Sequence, residues 1–528
     1  MATAEIVKAR GEFTNEALMD FSVPKNRQAM EAALSTVAKG LGREYPILIG
    51  GEALYTEEKI RSTNPARPEQ VIGIFQNGTV AMAVRAVETA YRAFDKWKRV
   101  PAEKRAASLF RAREILLQRR LELDALLVYE IGKTWIEADA DIAELIDFCE
   151  FYGREMLRLA GPQPLVPVHG EKNYLSYIPL GVGIVIPPWN FAAAIMGGMT
   201  VASVVTGNTV VLKPSSDSPT IAAEFVNILY EAGVPKDVVN FFTGPGRTAG
   251  EAMVTYAKTR FIAFTGSMEA GLRIGELAAK KQPGQLWIKR TVLEMGGKDA
   301  IIVEDDADLD EAVEGVALAA FSYQGQKCSA CSRAIVSDKI YDRFLERLIP
   351  RVKAIQVGAP EKLENFMGPV INKASMKSIM EYIETGKKEG RLVAGGNVVK
   401  GQGDGYFITP TVIADVAADA RIAQEEIFGP VLAVIKSQNF EHALDIANGT
   451  EFGLTGAVYT NDPAKLAKAS EEFHVGNLYL NRKCTGAQVG GHPFGGFNMS
   501  GTDSKAGGPD YLLLFLQAKT IAEKVATG

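Results

Sequence analysis

Residues 321–332, which read Phe-Ser-Tyr-Gln-Gly-Gln-Lys-Cys-Ser-Ala-Cys-Ser, place a cysteine between a helical pattern and an apolar run. A cysteine acts as a nucleophile only as its thiolate, so it needs a setting that lowers its pKa and holds it still. Gly325 interrupts the helical pattern before it, and the apolar residues 334–336 predict a strand after it. We therefore predict that Cys328 lies on a constrained loop just past a helix end, with Lys327 beside it, facing a cleft.

Other interpretations of this cysteine remain open at this point. Most cysteines are small buried hydrophobic residues. Cys328 and Cys331 also form a C-x-x-C pair, which occurs in redox dithiols and as half of a zinc site. A thioredoxin-like pair opens a helix after a strand, whereas this pair precedes a strand. We predict no metal site, because ligand spacing is missing among the other cysteines and the histidines, which are Cys149, Cys484, His169, His442, His474 and His492.

A carboxylate in an unusual setting precedes this stretch. Glu294 follows the apolar pair Val292-Leu293 and stands two residues before Gly296-Gly297. Such a group is either a helix cap or loop residue, or a desolvated general base with a raised pKa near a cleft. The glycine-rich segments 483–487 and 492–497 are suited to binding a ligand through backbone N–H groups.

The composition limits what the elements around these residues can be. The chain has 528 residues, 47% of them hydrophobic, which predicts a large soluble protein of two or three domains. The formal net charge is −5 and the basic residues do not cluster, so no nucleic-acid partner is predicted. Four cysteines indicate a reducing compartment without a disulfide framework. Residues 1–24 have neither the apolar segment of a signal peptide nor an Arg-rich transit pattern, so we predict a cytoplasmic protein.

The most apolar segment of the chain, 191–205, raises the question of a membrane span. It has 15 residues, fewer than the roughly 18 that a spanning helix needs. Pro187-Pro188 precedes it and Gly207-Asn208 follows it. We predict a buried helix packed on a sheet, and no membrane association.

Short apolar strands alternate with amphipathic helices between residues 181 and 286. This alternation predicts a parallel α/β sheet with crossover helices, whose ligands bind at the carboxyl ends of the strands. The predicted strands are 183–186, 209–212, 238–242 and 261–264, and the predicted helices are 191–206, 219–232, 248–258 and 268–281. The chain before this block predicts a helical arm over 1–45, a hairpin at 45–54, helices over 80–146 and a strand at 174–179.

Each strand of this block is followed by a turn with polar or glycine residues. Such turns, entering helices, could hold the phosphates and ribose of a dinucleotide, although glycines at helix entrances are often only structural. The third turn reads G-x-G-x-x-x-G, one residue longer than the dinucleotide fingerprint. Taken together, the four turns indicate a dinucleotide-binding site. They comprise residues 187–191, 213–216, 244–250 and 265–267.

Seven motifs in a fixed order make the chain similar to the aldehyde dehydrogenase superfamily. The resemblance runs from about Tyr45 to the C-terminus and rests on residues 188–191, 213–216, 264–267, 294–298, 321–328, 426–430 and 493–496. It implies an α/β fold with a Rossmann-type parallel sheet domain, an α/β catalytic domain and a β-flap for oligomerisation. The closer likeness is to the branch that oxidises L-glutamate γ-semialdehyde, formed from 1-pyrroline-5-carboxylate, to L-glutamate in proline catabolism. It rests on residues 325–330, 473–479, 481–487 and 500–505.

The resemblance also implies catalytic roles. Cys328 would attack the aldehyde carbon, and the Asn190 amide with the Cys328 backbone N–H would hold the oxyanion. Glu294 would activate the water that hydrolyses the resulting thioester. The implied cofactor is NAD, with contacts from Ile186, Pro188, Trp189, Lys213, Ser216, Gly246, Thr265, Gly266, Ser267, Glu426 and Phe428.

The resemblance places a second group of residues around the substrate. Ser329 and the backbone N–H groups of two loop residues would hold the α-carboxylate, and two aromatic rings would wall the aliphatic chain. The implied substrate contacts are Glu137, Phe191, Lys327, Ser329, Gly486, Ala487 and Phe494. The implied domains are an N-terminal helical arm 1–44, a dinucleotide-binding domain 45–165 and 181–293, an oligomerisation flap 166–180 and 504–528, and a catalytic domain 294–503.

Two departures from the superfamily pattern stand out. Many members carry Glu where this chain has Ser216, and a carboxylate there repels a 2′-phosphate, so we predict tolerance of NADP as well as NAD. Ala192 replaces the usual Pro with no consequence that we can assign. Two alternative functions remain: a CoA-acylating or broad-specificity relative, and a noncatalytic or thiol-redox protein. The flap and residues 511–518 predict a homodimer or a larger homo-oligomer.

Overall fold

The structure is a computed structural model that describes residues 10–525. Its helices, in chain order, are α1 Pro24–Lys39, α2 Val80–Trp97, α3 Ala102–Ile131, α4 Trp135–Ala160, α5 Ala194–Val205, α6 Pro219–Glu231, α7 Glu251–Thr255, α8 Met268–Ala279, α9 Leu309–Phe321, α10 Tyr341–Lys353, α11 Lys373–Glu389, α12 Arg421–Gln424, α13 Phe440–Asn448 and α14 Pro463–Glu472. Short turns of 3-10 or π type are Gly246–Gly250, Ser322–Gly325 and Tyr511–Phe515.

Over the described residues, the strands form two seven-stranded sheets, one three-stranded sheet and two strand pairs. In chain order they are β1 Arg43–Tyr45, β2 Ile47–Ile49, β3 Glu52–Leu54, β4 Lys59–Asn64, β5 Arg67–Gln76, β6 Glu171–Pro179, β7 Val182–Ile186, β8 Thr209–Leu212, β9 Val239–Phe241, β10 Thr259–Thr265, β11 Arg290–Glu294, β12 Ala300–Val303, β13 Arg333–Ser337, β14 Arg391–Ala394, β15 Thr411–Ala414, β16 Val431–Ser437, β17 Phe452–Gly453, β18 Thr455–Tyr459, β19 Asn477–Leu480, β20 Phe497–Asn498 and β21 Leu516–Lys524.

The first seven-stranded sheet has the order β11-β10-β7-β8-β9-β2-β3. Strands β7 to β11 pair in parallel, whereas the β2–β3 hairpin adds in antiparallel orientation. The predicted parallel sheet with crossover helices is thus confirmed. Its strands are continuous apolar runs because helices cover both faces. Most of the segment 191–205 forms α5, Ala194–Val205, which is buried between this sheet and α4.

The second seven-stranded sheet has the order β14-β15-β16-β13-β12-β18-β19. All its pairings are parallel except the antiparallel edge pair β14–β15. Two apolar clusters cover its faces, one centred on α9 and α10 and the other on α11 and α13. The second sheet thus forms a separate α/β layer system with its own core.

The helical prediction for 80–146 is confirmed by α2, α3 and α4, which break at Pro101 and at Gly132, a residue with φ +69°. The predicted helical arm 1–44 is helical only over α1 within the described residues, and its first nine residues lie outside them. Residues 10–23 lie along α4 without forming a helix, because carboxylates of α4 accept hydrogen bonds from polar groups of this segment. Asp147 accepts from the Glu16 N–H at 2.7 Å, and Glu150 accepts from Arg10.

An antiparallel ribbon joins β6 to β21, from the pair Pro179–Leu516 to the pair Glu171–Lys524. The predicted strand at 174–179 is therefore confirmed, and its partner is the C-terminal strand of the same chain. No helix in the part of the chain that the structure describes is long and apolar enough to cross a membrane.

Candidate active site

A cleft of about 530 Å³ opens at the carboxyl ends of β7, β8 and β10. Cys328 and Asn190 line it, and so do ten of the eleven predicted cofactor residues. These ten are Ile186, Pro188, Trp189, Lys213, Ser216, Thr265, Gly266, Ser267, Glu426 and Phe428. The exception is Gly246, which opens the turn Gly246–Gly250 and does not line this cleft. The structure therefore brings the first, second and fourth predicted turns to one place.

The polar groups of the cleft suit a dinucleotide. Burial lowers the pKa of Lys213 to about 8, and no acidic group contributes to that shift. The Ser267 hydroxyl caps α8 by accepting from the Ala270 N–H at 3.3 Å, so a helix N-terminus faces the cleft, as phosphate binding requires. A nearly buried cation and a helix N-terminus fit a dianionic pyrophosphate flanked by ribose hydroxyls.

Glu426 supplies a carboxylate on the opposite wall of the cleft. Its Oε1 accepts the Gly297 N–H at 3.1 Å, and burial raises its pKa to about 7. A Cβ at Gly296 would collide with this carboxylate, so the glycine is needed for the close approach. Phe428 packs edge-on against Trp189, with ring centres 5.5 Å apart. Sequence reasoning missed Asp217, which also lines the cleft and lies just past the motif 213–216. Met295 lines the cleft too, and it belongs to the motif 294–298, although it was assigned no role.

Cys328 lies where the sequence predicted it, on a loop between α9 and β13. The chain leaves α9 through three consecutive left-handed residues, Tyr323, Gln324 and Gly325, at φ 49°, 60° and 66°. Gln326 holds the next part of the loop: its carbonyl accepts from Asn190 Nδ2 at 2.9 Å, and its side-chain oxygen accepts the Ile371 N–H at 2.9 Å. The backbone that presents the thiol is therefore held in place two residues before Cys328.

The electrostatic setting of the thiol differs from our expectation. Burial raises the pKa of Cys328 well above its ordinary value, and the nearby carboxylates Glu294, Asp299 and Glu426 raise it further. Lys327 does not offset this effect, because its Nζ pairs with Glu137 at 2.8 Å. The prediction of a surrounding that lowers this pKa is therefore wrong.

A second, smaller cavity of about 50 Å³ lies on the other side of Cys328. Its lining is mostly apolar and includes Glu294, Phe494 and Thr265, and Cys328 lines both this cavity and the larger cleft. The sulfur thus stands at the junction of a dinucleotide-sized cleft and a small cavity that contains a carboxylate.

Glu294 ends β11 and is buried in this small cavity. Its Oε1 accepts the Gly496 N–H at 3.1 Å, and its Oε2 accepts from the Ser504 hydroxyl at 3.1 Å. Burial raises the pKa of Glu294 to about 8, and these two hydrogen bonds reduce the shift. The predicted desolvated carboxylate with a raised pKa is confirmed.

The predicted substrate residues do not all line one cavity. Phe494 lines the small cavity, while the ring of Phe191 lies 4.3 Å from Lys133 Nζ and lines neither cavity. Glu137 pairs with Lys327, the neighbour of Cys328. Ser329 is buried, and its carbonyl accepts from Cys484 Sγ at 3.4 Å; this bond joins the nucleophile's loop to the loop that contains Gly486 and Ala487.

Cys331 packs in the apolar cluster around α9 and α10. Its thiol donates to the Arg333 carbonyl at 3.4 Å, and all four cysteines are free thiols. Within residues 10–525, no group of three or more histidine, cysteine or carboxylate side chains is arranged to hold a metal ion.

The chain is similar to known proteins over almost its whole length. The 1-pyrroline-5-carboxylate dehydrogenases of Geobacillus thermodenitrificans and of Bacillus cereus strain B4264 are 55% and 52% identical to it over 514 residues, which are 97% of this chain and 99% of each relative. The crystal structure of 1-pyrroline-5-carboxylate dehydrogenase from Thermus with bound NAD superposes with a TM-score of 0.95 at 49% identity, covering 97% of this chain and 99% of that one. The profile of the Aldehyde dehydrogenase family matches residues 54–521. The chain belongs to the aldehyde dehydrogenase family.

Proposed function

We propose that this protein oxidises L-glutamate γ-semialdehyde, the open form of 1-pyrroline-5-carboxylate, to L-glutamate with NAD, a step of proline catabolism. The observation that carries the proposal is the position of Cys328 at the junction of the two cavities, with Glu294 in the smaller one. The names of the relatives above support the substrate, and the NAD-bound relative from Thermus supports the cofactor.

The cleft residues would hold NAD by complementary charge. Lys213 and Ser216 would contact the adenine-side ribose, the N-terminus of α8 with Ser267 the pyrophosphate, and Glu426 the nicotinamide-side ribose. When NAD is bound, its nicotinamide ring supplies the hydride acceptor that converts a thiohemiacetal into a thioester.

Attack on the aldehyde requires the thiol of Cys328 to lose its proton as the C–S bond forms, because its surroundings favour the neutral thiol. Glu294 lines the same small cavity and, when ionised, can take that proton. The oxyanion of the thiohemiacetal would be held by the Asn190 amide and the backbone N–H of Cys328. The hydrogen bond from Asn190 Nδ2 to the Gln326 carbonyl occupies one amide hydrogen and leaves the other for the oxyanion.

Glu294 also serves hydrolysis, since its ionised form can take a proton from a water that attacks the thioester. The apolar lining of the small cavity keeps this carboxylate basic enough for the task. Substrate selection would rest on Ser329 and the N–H groups of Gly486 and Ala487, which bind the α-carboxylate. Phe191 and Phe494 would enclose the aliphatic chain, and the Glu137–Lys327 pair would border it.

Steady-state turnover with pyrroline-5-carboxylate and NAD tests the proposal, compared with the variants Cys328→Ala and Glu294→Gln. We expect Cys328→Ala to lose NADH formation altogether. We expect Glu294→Gln to give one burst of NADH and then stop, because the thioester is not hydrolysed. NADH formation by Cys328→Ala, or full turnover by Glu294→Gln, would remove the assigned roles.

Three coarser assignments accompany this function. The domain bounds 45–165 with 181–293 and 294–503 are supported by the two sheets, which divide between β11 and β12. The segments 166–180 and 504–528, which contain the β6–β21 ribbon, would join subunits into a homodimer or a larger homo-oligomer. Four free thiols support a reducing, cytoplasmic location.

A further inference from the structure

The segment after β19, residues 481–487, contains two unused backbone donors; we name it the carboxylate loop. Gly486 is exposed and left-handed, with φ +83°, a conformation that a side chain would strain. Among the described residues, neither the N–H of Gly486 nor that of Ala487 donates to a protein acceptor. These two donors are therefore free to bind a ligand.

Arg482 fixes the two peptide groups that contain these donors. Its Nη2 donates to the carbonyl of Thr485 at 3.0 Å and to the carbonyl of Gly486 at 3.1 Å. In a planar trans peptide, the carbonyl of one residue and the N–H of the next point in opposite directions. Holding these two carbonyls therefore directs the N–H groups of Gly486 and Ala487 away from the guanidinium.

The guanidinium is itself supported. Its central carbon lies 4.5 Å from the centre of the Tyr479 ring, and Tyr479 is a buried residue of β19. A charged donor on a carbonyl also polarises the peptide, so its N–H becomes a better donor. Arg482 thus has the position and the charge to fix the carboxylate loop from the carbonyl side, opposite the two free N–H groups.

The carboxylate loop is attached to the nucleophile's loop. Cys484 Sγ donates to the carbonyl of Ser329, the residue that follows Cys328, at 3.4 Å. The direction of the two free N–H groups is therefore set relative to the reacting sulfur as well as to their own strand.

We propose that Arg482 is a positioning residue for recognition of the substrate's carboxylate: it orients the N–H groups of Gly486 and Ala487 and does not itself contact the substrate. The inference rests on the proposed function, because it concerns an aldehyde that bears a carboxylate. A neutral aldehyde offers these donors nothing to bind, so its turnover does not depend on Arg482.

The variants Arg482→Gln and Arg482→Lys test this inference with two aldehydes of equal carbon chain, L-glutamate γ-semialdehyde and pentanal. For Arg482→Gln we expect kcat/KM with the semialdehyde to fall about 10- to 100-fold, mainly through KM, with pentanal unchanged. Arg482→Lys should lose less, because it keeps the charge but not the stacking on Tyr479. The control is Arg391→Gln, whose exposed guanidinium pairs with Asp415 at 2.8 Å and which should change neither substrate.

Binding of L-glutamate, measured by calorimetry without NAD, gives a second readout. We expect its Kd to rise by a factor similar to that in KM, in Arg482→Gln or, if that variant does not fold, in Arg482→Lys. Equal losses with both aldehydes, or unchanged glutamate affinity in a folded variant, would overturn the role of Arg482. Failure of the wild-type enzyme to prefer the semialdehyde over pentanal would instead refute the proposed function, whatever the variants do.

Discussion

The pKa of Glu294 sets how thioester hydrolysis depends on pH. Burial raises this pKa to about 8, so the carboxyl group is largely protonated at neutral pH. A general base acts only when it is ionised, and the hydrolysis rate should therefore rise with pH and level off above about 8. Single-turnover measurement of thioester decay, started from the preformed acyl-enzyme, separates this step from the ionisation of Cys328.

The hydroxyl of Ser504 should tune that profile. It donates to Glu294 Oε2 at 3.1 Å and so favours the ionised carboxylate. We expect Ser504→Ala to raise the pKa of Glu294 and to move the midpoint of thioester decay to higher pH. Ser470→Ala, which alters an exposed helix hydroxyl, should leave the midpoint in place. A midpoint that moves to lower pH in Ser504→Ala would contradict this account.

Ser216 should determine how the cleft treats a 2′-phosphate. Its exposed side chain lines the cleft without a charge, so we expect measurable activity with NADP beside NAD. Ser216→Glu should lower kcat/KM for NADP by about tenfold or more and change that for NAD little, because like charges repel. The control Ser216→Gln, whose side chain has the size of glutamate but no charge, should keep activity with both NAD and NADP. The idea fails if the unaltered enzyme gives no detectable NADP turnover.

The turn between α9 and β13 should be the element most sensitive to a single methyl group. Gly325 is left-handed at φ +66°, and a Cβ there would collide with the carbonyl of Gly429. We expect Gly325→Ala to lower stability by about 2 kcal/mol or more and to lower kcat, since relief of the collision must move the loop that carries Cys328.

The matched control for that turn is Gly284→Ala. Gly284 is also left-handed, at φ +76°, but has no atom within 4 Å of an added Cβ. The Gly284→Ala variant should therefore lose only about 1 kcal/mol of its free energy of unfolding, through backbone strain, and keep its kcat. Thermal unfolding and steady-state kinetics on both variants decide the matter, and equal effects at the two glycines would show that packing around Gly325 is unimportant.

The elements of the first sheet were predictable because their signals are local. Thr209–Leu212 was predicted with the bounds that β8 has, since an apolar run between Gly207-Asn208 and Lys213-Pro214 defines it. The left-handed Tyr323 and Gln324 could not be predicted, because their conformation depends on tertiary contacts such as the bond from the Tyr323 hydroxyl to the Ile131 carbonyl at 3.2 Å.

Those parts of the site that short motifs contain could be predicted from the sequence. The interactions between charged groups that are distant in sequence but close in the fold could not. Motifs placed Cys328, Glu294 and most of the cleft residues, although Gly246 does not line the cleft. Burial raises the pKa of the thiol, and three carboxylates that packing brings near Cys328, namely Glu294, Asp299 and Glu426, raise it further. The pairing of Lys327 with Glu137, 190 residues away, likewise has no local signal.

At the scale of the whole molecule, the reacting groups come from opposite edges of two sheets. Glu294 and the turns after β7, β8 and β10 lie at the carboxyl edge of the first sheet. Cys328 precedes β13 and Glu426 precedes β16, so both lie at the amino edge of the second. The base and the nucleophile therefore meet only when the two sheets pack correctly, and a small change in their relative position would separate them.

The β6–β21 ribbon yields the prediction for the assembled protein. Among residues 10–525, the two strands pair only with each other, so each has an unpaired edge, and such an isolated pair is marginally stable alone. Tyr174 and Ile521, which face each other across the ribbon, are 40% and 43% exposed. We expect the double variant Tyr174→Asp with Ile521→Asp to shift the molar mass, measured by light scattering after size exclusion, from an oligomer toward the monomer.

Tyr55→Asp, at a residue that is 59% exposed outside the ribbon, should leave the mass unchanged. An unaltered protein that is already monomeric, or a double variant of unchanged mass, would remove the ribbon from the subunit interface.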